Sequence, residues 1–258
     1  MNAATKVCWL PKAGNAASEF EDAWFLPETG SGRGRRARVA ASRPDPAVPF
    51  RCAVADGATE ASFSGLWARL LTTACGSGLL PATGEGWQHS LPALRAAWLR
   101  SVRRRPLPWY AEAKLEAGAF AALCTAAFHS DGRWTAAAVG DSCLFHVRDG
   151  QLLTAFPLDR AASFGSRPWL LSSVDRAADG LEGRIRVAAG SWAPGDTAFL
   201  MTDALACWFL AEAEAGGQPW AALAALRPGA AFADWIGRLR AARRIRNDDV
   251  TLLTIALS

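Results

Sequence analysis

Apolar residues recur along this chain in short blocks, and their spacing switches between the two-residue period of strands and the three-to-four-residue period of helices. Blocks at 4–10 and 22–26 carry β-branched or aromatic members and bracket a polar turn holding Gly14 and Asn15, which predicts an initial pair of strands. Residues 50–55 form another apolar strand, which ends at Asp56-Gly57. Over 61–75 the apolar positions Phe63, Leu66, Trp67, Leu70 and Leu71 follow the i, i+3, i+4 spacing of an amphipathic helix. A second helix is expected at 91–104, with Leu94, Trp98 and Val102 on one face and most of its arginines on the other.

The period then shortens. Runs at 119–128, 134–139, 143–147 and 151–156 are separated by Ser130-Asp131-Gly132, Gly140-Asp141 and Arg148-Asp149-Gly150, the last a hairpin signal, and together they predict an antiparallel meander. Segment 161–181 is irregular and reads as loop-rich. Strands follow at 184–187 and 197–202, joined across Pro194-Gly195-Asp196, then helices at 205–215, 220–226 and 231–243 and a last strand at 250–257. Strands and helices are grouped rather than strictly alternating, which favours antiparallel sheets covered by helices over a doubly wound parallel sheet. Residues 30–49 are rich in Gly, Arg, Ser and Pro without apolar period, so an exposed loop over 28–48 is expected within one domain spanning 1–258.

Composition narrows the classes. With 258 residues, 51% of them hydrophobic, the chain can bury a substantial core. No apolar run reaches the ~18 residues that cross a bilayer, and the N-terminus lacks a signal-peptide pattern, so no membrane association and a cytoplasmic location are expected. Six cysteines stand singly with no CxxC pair, as buried reduced thiols do, and three separated histidines are too few for a histidine-based metal site. Any metal would be bound by oxygen. The net charge of +4 rests on arginine runs near 33–43, 100–105 and 238–246, which read first as solvated cations. No aromatic residues interleave with them as a single-strand platform requires, and nucleic acid is disfavoured as a partner.

Three apolar strands run into an aspartate flanked by a very small residue: Ala55-Asp56-Gly57, Gly140-Asp141-Ser142 and Thr202-Asp203-Ala204. Two further acidic pairs, Glu21-Asp22 and Asp248-Asp249, stand immediately before apolar strands. In antiparallel sheets the starts and ends of opposed strands share one rim, so these five positions can converge. Each aspartate alone is an ordinary turn or cap residue. Together they would repel unless a compensating charge were present, and hard divalent cations suit an all-oxygen ligand set.

These motifs, Glu21-Asp22-Ala23, Ala55-Asp56-Gly57, Val139-Gly140-Asp141-Ser142, Leu200-Met201-Thr202-Asp203 and Asp248-Asp249-Val250-Thr251, resemble in order and interval those of the protein phosphatase 2C (PPM) family, in a divergent bacterial-type form. The resemblance implies an α+β fold: a central antiparallel β-sandwich flanked on both faces by helix pairs, four layers in all. It implies two Mn²⁺ or Mg²⁺ ions, with a third, weaker one. Asp56 would bridge the two metals, Asp203 and Asp248 would complete one, and Glu21 with the carbonyl of Gly57 would serve the other. Asp22 would orient the attacking water, and Asp141 would bind the third ion. The implied activity is hydrolysis of phosphoserine or phosphothreonine on a protein partner, one modified by a cognate Ser/Thr kinase, by a monomeric enzyme.

The chain departs from that pattern among the substrate-handling residues. Eukaryotic members carry a phosphate-binding arginine where this chain has Ala17, and many carry a histidine where it has Ala58. Losing one charge-assisted contact costs ~1.5–3 kcal/mol, which predicts a slow enzyme rather than a dead one. Arg33, Arg35 or Arg36 is the expected substitute. The alternative is a pseudophosphatase that uses the fold as a binding or regulatory module.

Overall fold

The computed structural model describes residues 2–27, 48–58, 63–104, 112, 115–165, 167–175 and 180–258. Eleven strands among them form two antiparallel sheets. One has the order β1-β11-β10-β6-β7, from β1 (Ala3–Leu10), β11 (Val250–Leu257), β10 (Thr197–Met201), β6 (Cys143–Arg148) and β7 (Gln151–Phe156). The other has the order β2-β3-β4-β5-β9, from β2 (Ala23–Phe25), β3 (Phe50–Gly57), β4 (Phe120–Phe128), β5 (Arg133–Val139) and β9 (Arg186–Ser191), with β8 (Leu171–Ser172) paired to β4.

Strand alternation divides the core into three slabs. Val54, Cys124, Ala126, Ala136, Leu144, Leu200 and Ile255 fill the space between the sheets. The opposite faces of the same strands pack on helices. Ala53, Ala55, Leu123 and Ala137 meet α1 (Ser64–Ser77) and α2 (Trp87–Val102), whereas Phe145, Phe199, Met201 and Leu252 meet α3 (Asp203–Glu214), α4 (Pro219–Ala225) and α5 (Ala230–Ala241). The result is the four-layer αββα arrangement.

Alanine-rich strands leave room that tryptophan fills. Trp67, Trp87 and Trp98, all fully buried, project from α1 and α2 over the alanines of β3, β4 and β5, and pairing large with small side chains keeps the slab close-packed. Each indole nitrogen finds a carbonyl: Trp67 donates to Leu171 at 2.9 Å, Trp87 to Pro81 at 2.9 Å and Trp98 to Phe63 at 3.4 Å. All six cysteines are free thiols, five of them buried and Cys207 partly exposed. No described helix is long and apolar enough to cross a membrane.

Strand positions agree with the sequence patterns, but several pairings do not. β1 and β2 are not partners: β1 pairs with β11 and β2 with β3, in different sheets. The expected meander breaks at Gly140-Asp141-Ser142, because β4 and β5 pair in one sheet while β6 and β7 pair in the other. β9 and β10 are likewise split, pairing with β5 and β6 respectively. Local periodicity fixes which face of a strand is apolar but not which apolar strand lies beside it. The expected loop at 28–48, with Arg33, Arg35 and Arg36, lies outside the described residues apart from Val48.

Candidate metal centre

Strand direction brings the acidic stretches to one rim of the sandwich. β3 ends at that rim with Asp56 and Gly57, and its antiparallel neighbour β2 starts there just after Glu21 and Asp22, with Ala23 opposite Ala55. In the other sheet β10 ends at Met201, so Thr202 and Asp203 follow at the rim, while β11 starts there after Asp248 and Asp249. The β5-to-β6 crossing between sheets places Asp141 on the same edge.

Asp22 is held most firmly. It is 3% exposed, and its Oδ2 accepts hydrogen bonds from the Thr251 hydroxyl at 2.8 Å and the Thr202 hydroxyl at 3.1 Å, while its Oδ1 is buried with no hydrogen-bond partner. A buried, unpaired carboxylate oxygen is costly, and this one lies at the acidic rim with an accepting position unfilled. Glu21 turns toward α1, accepting from the Ser64 hydroxyl at 2.5 Å through Oε1. Gly57 has no alternative: a Cβ there would stand 2.7 Å from the Glu21 carbonyl oxygen and 3.0 Å from the Ser64 backbone.

The adjacent acids at 248 and 249 separate by role. Asp249 caps backbone, its Oδ1 accepting from the Lys12 amide at 2.8 Å and its Oδ2 from the Glu21 amide at 2.7 Å. It therefore fixes the β1–β2 connection and has little left to offer a ligand. Asp248 is partly exposed and accepts one hydrogen bond, from the Asp249 amide, while its carbonyl receives Nη2 of Arg240 from α5. Arg240 also donates to the Pro11 carbonyl at 3.0 Å, tying the two loops that carry Glu21 and Asp248 to one helix.

The carboxylates feel one another. Burial, then the charges of Asp22, Asp203, Asp248 and Asp141, raise Asp56 well above the usual carboxylate range. Asp22 is raised chiefly by burial, against the pull of Thr251 and Thr202. Asp141 is pushed up to about 7 by burial and by Asp203. Asp203, raised mainly by burial, is held back by Arg246, whose Nη2 pairs with its Oδ2. Among the described residues no three side chains already converge tightly enough to hold an ion. Asp203 pairs with Arg246 and Glu21 accepts from Ser64.

The family model described as protein phosphatase 2C matches residues 39–249. The chain belongs to that family. No curated protein matches it significantly. Among solved structures it is similar to the photosystem II phosphatase PBCP (16% identity, 100% of this chain and 99% of that one, TM-score 0.59) and to the Mycobacterium tuberculosis serine/threonine phosphatase PstP/Ppp (18%, 99% of each, TM-score 0.57). It is also similar to the catalytic domain of PstP in complex with two manganese ions (16% identity, 100% of each chain, TM-score 0.52). At these identities the likeness speaks for the fold alone.

Against that family pattern, the positions singled out in the sequence lie along one rim: Asp22, Asp141, Asp203 and Asp248 through the charge each exerts on Asp56, Gly57 through its contact with the Glu21 carbonyl, and Asp249 through the Glu21 amide. Ala17 is exposed in a short 3₁₀ turn, and Ala58 serves only through its amide, which donates to the Phe120 carbonyl. Sequence reasoning missed the supporting shell of Ser64, Thr202, Arg240, Arg246 and the capping role of Asp249. Thr202 and Thr251 could have been suspected, because each sits beside a motif aspartate at a strand end.

Proposed function

We propose that this phosphatase 2C relative hydrolyses phosphoserine and phosphothreonine on a protein partner, through the acidic rim loaded with two divalent cations, Mn²⁺ or Mg²⁺. The observation that carries the reading is the orphaned, buried Oδ1 of Asp22 at a rim where the charges of Asp22, Asp203, Asp248 and Asp141 all raise Asp56. Asp56, Asp203 and Asp248 with Glu21 and the Gly57 carbonyl would hold the pair, and Asp141 a weaker third ion. Bound divalent cations supply Lewis-acid charge at phosphorus and favour ionisation of water.

The chain's own residues do the remaining work. Asp22, its other oxygen clamped by Thr202 and Thr251, orients the attacking water through Oδ1. Water adds its oxygen to phosphorus as the ester P–O bond breaks, giving inorganic phosphate and the free serine or threonine hydroxyl. Burial is the first cause that raises each of the six thiols, which disfavours a thiolate nucleophile and suits direct attack by water. The carboxylates that repel one another without a cation fit the group that would neutralise them.

A second reading, a binding module without turnover, draws on one observation: Arg246 supplies compensating charge to Asp203 from the chain itself. Hydrolysis of p-nitrophenyl phosphate separates the two. Activity should appear with Mn²⁺, vanish with EDTA and fall by ~10²-fold or more in Asp203→Asn, the scale of losing a principal electrostatic element. Mn²⁺-loaded protein with no turnover would favour the module.

A further inference from the structure

Six carboxylates, on Glu21, Asp22, Asp56, Asp141, Asp203 and Asp248, line the rim that a phosphate monoester dianion must approach. A cation supplied by the protein at the mouth of that rim would offset their repulsion of the dianion. Arg246 is the cation whose charge both Asp203 and Asp141 feel. Its side chain is 49% exposed while its partner Asp203 is 11% exposed, so the guanidinium lies over the mouth of the acidic rim rather than within it. Among the described residues its one side-chain hydrogen bond is made by Nη2, and a guanidinium has five N–H donors.

The backbone beneath Arg246 is fixed. Ile245 on one side is buried, the Asp248 amide donates to the Arg246 carbonyl at 3.1 Å, and Arg240 grips the Asp248 carbonyl. A half-exposed guanidinium on an anchored turn, two residues before Asp248, has the planar donor set that suits a phosphate. Glu212, which pairs with Arg244, shows that the neighbouring arginine is already committed elsewhere.

We propose that Arg246 binds the substrate phosphate, pairing with Asp203 until cations take that carboxylate and then turning its donors to the phosphoryl oxygens. This inference rests on the metal-dependent reading above and names the residue that supplies the phosphate contact Ala17 cannot. It also makes Arg246 a competitor of the cations for Asp203.

Titration calorimetry on the full chain tests it without reference to turnover. Mn²⁺ is titrated into wild type, Arg246→Ala and Arg246→Lys, and inorganic phosphate is then titrated into each protein saturated with Mg²⁺. Arg246→Ala should bind phosphate at least about tenfold more weakly and Mn²⁺ more tightly than wild type, with Arg246→Lys between the two on both counts. Phosphate affinity within twofold of wild type, whatever happens to Mn²⁺, would make Arg246 a counter-ion only and overturn the proposal. If wild type binds no Mn²⁺ at all, the metal-dependent reading itself fails and this inference with it.

Discussion

Gly57 has its backbone wedged between the Glu21 carbonyl and the start of α1, at a spacing that no side chain can share. The close approach lets β2 and α1 bring Glu21 and Ser64 beside Asp56, so a methyl group here should act on the site as well as on stability. Gly57→Ala must displace backbone rather than a flexible side chain, and a loss of ~1–3 kcal/mol is expected from such overpacking. Mn²⁺ affinity should weaken in parallel, measured by calorimetry. A Gly57→Ala variant with wild-type melting temperature and metal affinity would show that the rim is looser than these contacts imply.

Elements are tied at both ends of the sandwich, by different chemistry. At the end opposite the rim, Asp196 precedes β10 and accepts Nε and Nη2 of Arg148 on β6, both at 2.8 Å, the Ala193 amide at 2.8 Å and Nε2 of His146 at 2.7 Å. Burial alone would raise this carboxyl, but the hydrogen bonds from Arg148, Ala193 and His146 outweigh it and hold it down at about 2. A depressed carboxylate stabilises the fold above its unfolded pKa, near 4, and that contribution disappears as pH falls toward 2. Asp196→Asn should therefore cost about 2 kcal/mol in urea denaturation at pH 7, with the difference from wild type shrinking below pH 4. A difference independent of pH would contradict the charge-based account. Lys6 ties β1 to α4 in another way, its ammonium donating to the Leu223, Ala224 and Leu226 carbonyls at the helix C-terminus.

Charge at the rim makes the whole molecule sensitive to both pH and metal. Asp22, Asp56, Asp141 and Asp203 are all raised, chiefly by burial, and Asp141 reaches about 7. Carboxyls with raised folded-state pKa contribute stability that is present below the unfolded value and is lost as pH rises through the folded one. The metal-free protein should accordingly melt at a lower temperature at pH 8 than at pH 5.5. Saturating Mn²⁺ should remove most of that difference, because a cation that binds only the folded state stabilises it by mass action and favours the ionised carboxylates. Thermal melts at the two pH values with and without Mn²⁺ check this; a metal-free protein more stable at pH 8 would refute the electrostatic picture of the rim.

Periodicity located nearly every helix and strand, because the apolar face of each is a local property repeated within a few residues: Leu66, Trp67, Leu70 and Leu71 mark α1, and 250–257 marks β11 without error. Strand-end aspartates were legible for the same reason, since an apolar run ending at Asp56 or Asp203 shows in the order of residues alone. Partnership was not legible. β1 lies against β11, far away in the chain, and β5 parts from β6 at Asp141, because adjacency is set by how two sheets and their helices close over a shared core. The same closure decides which of two neighbouring aspartates is free. Asp249 spends both oxygens on the amides of Lys12 and Glu21, and Arg246 reaches Asp203 only once β11 and α3 are side by side.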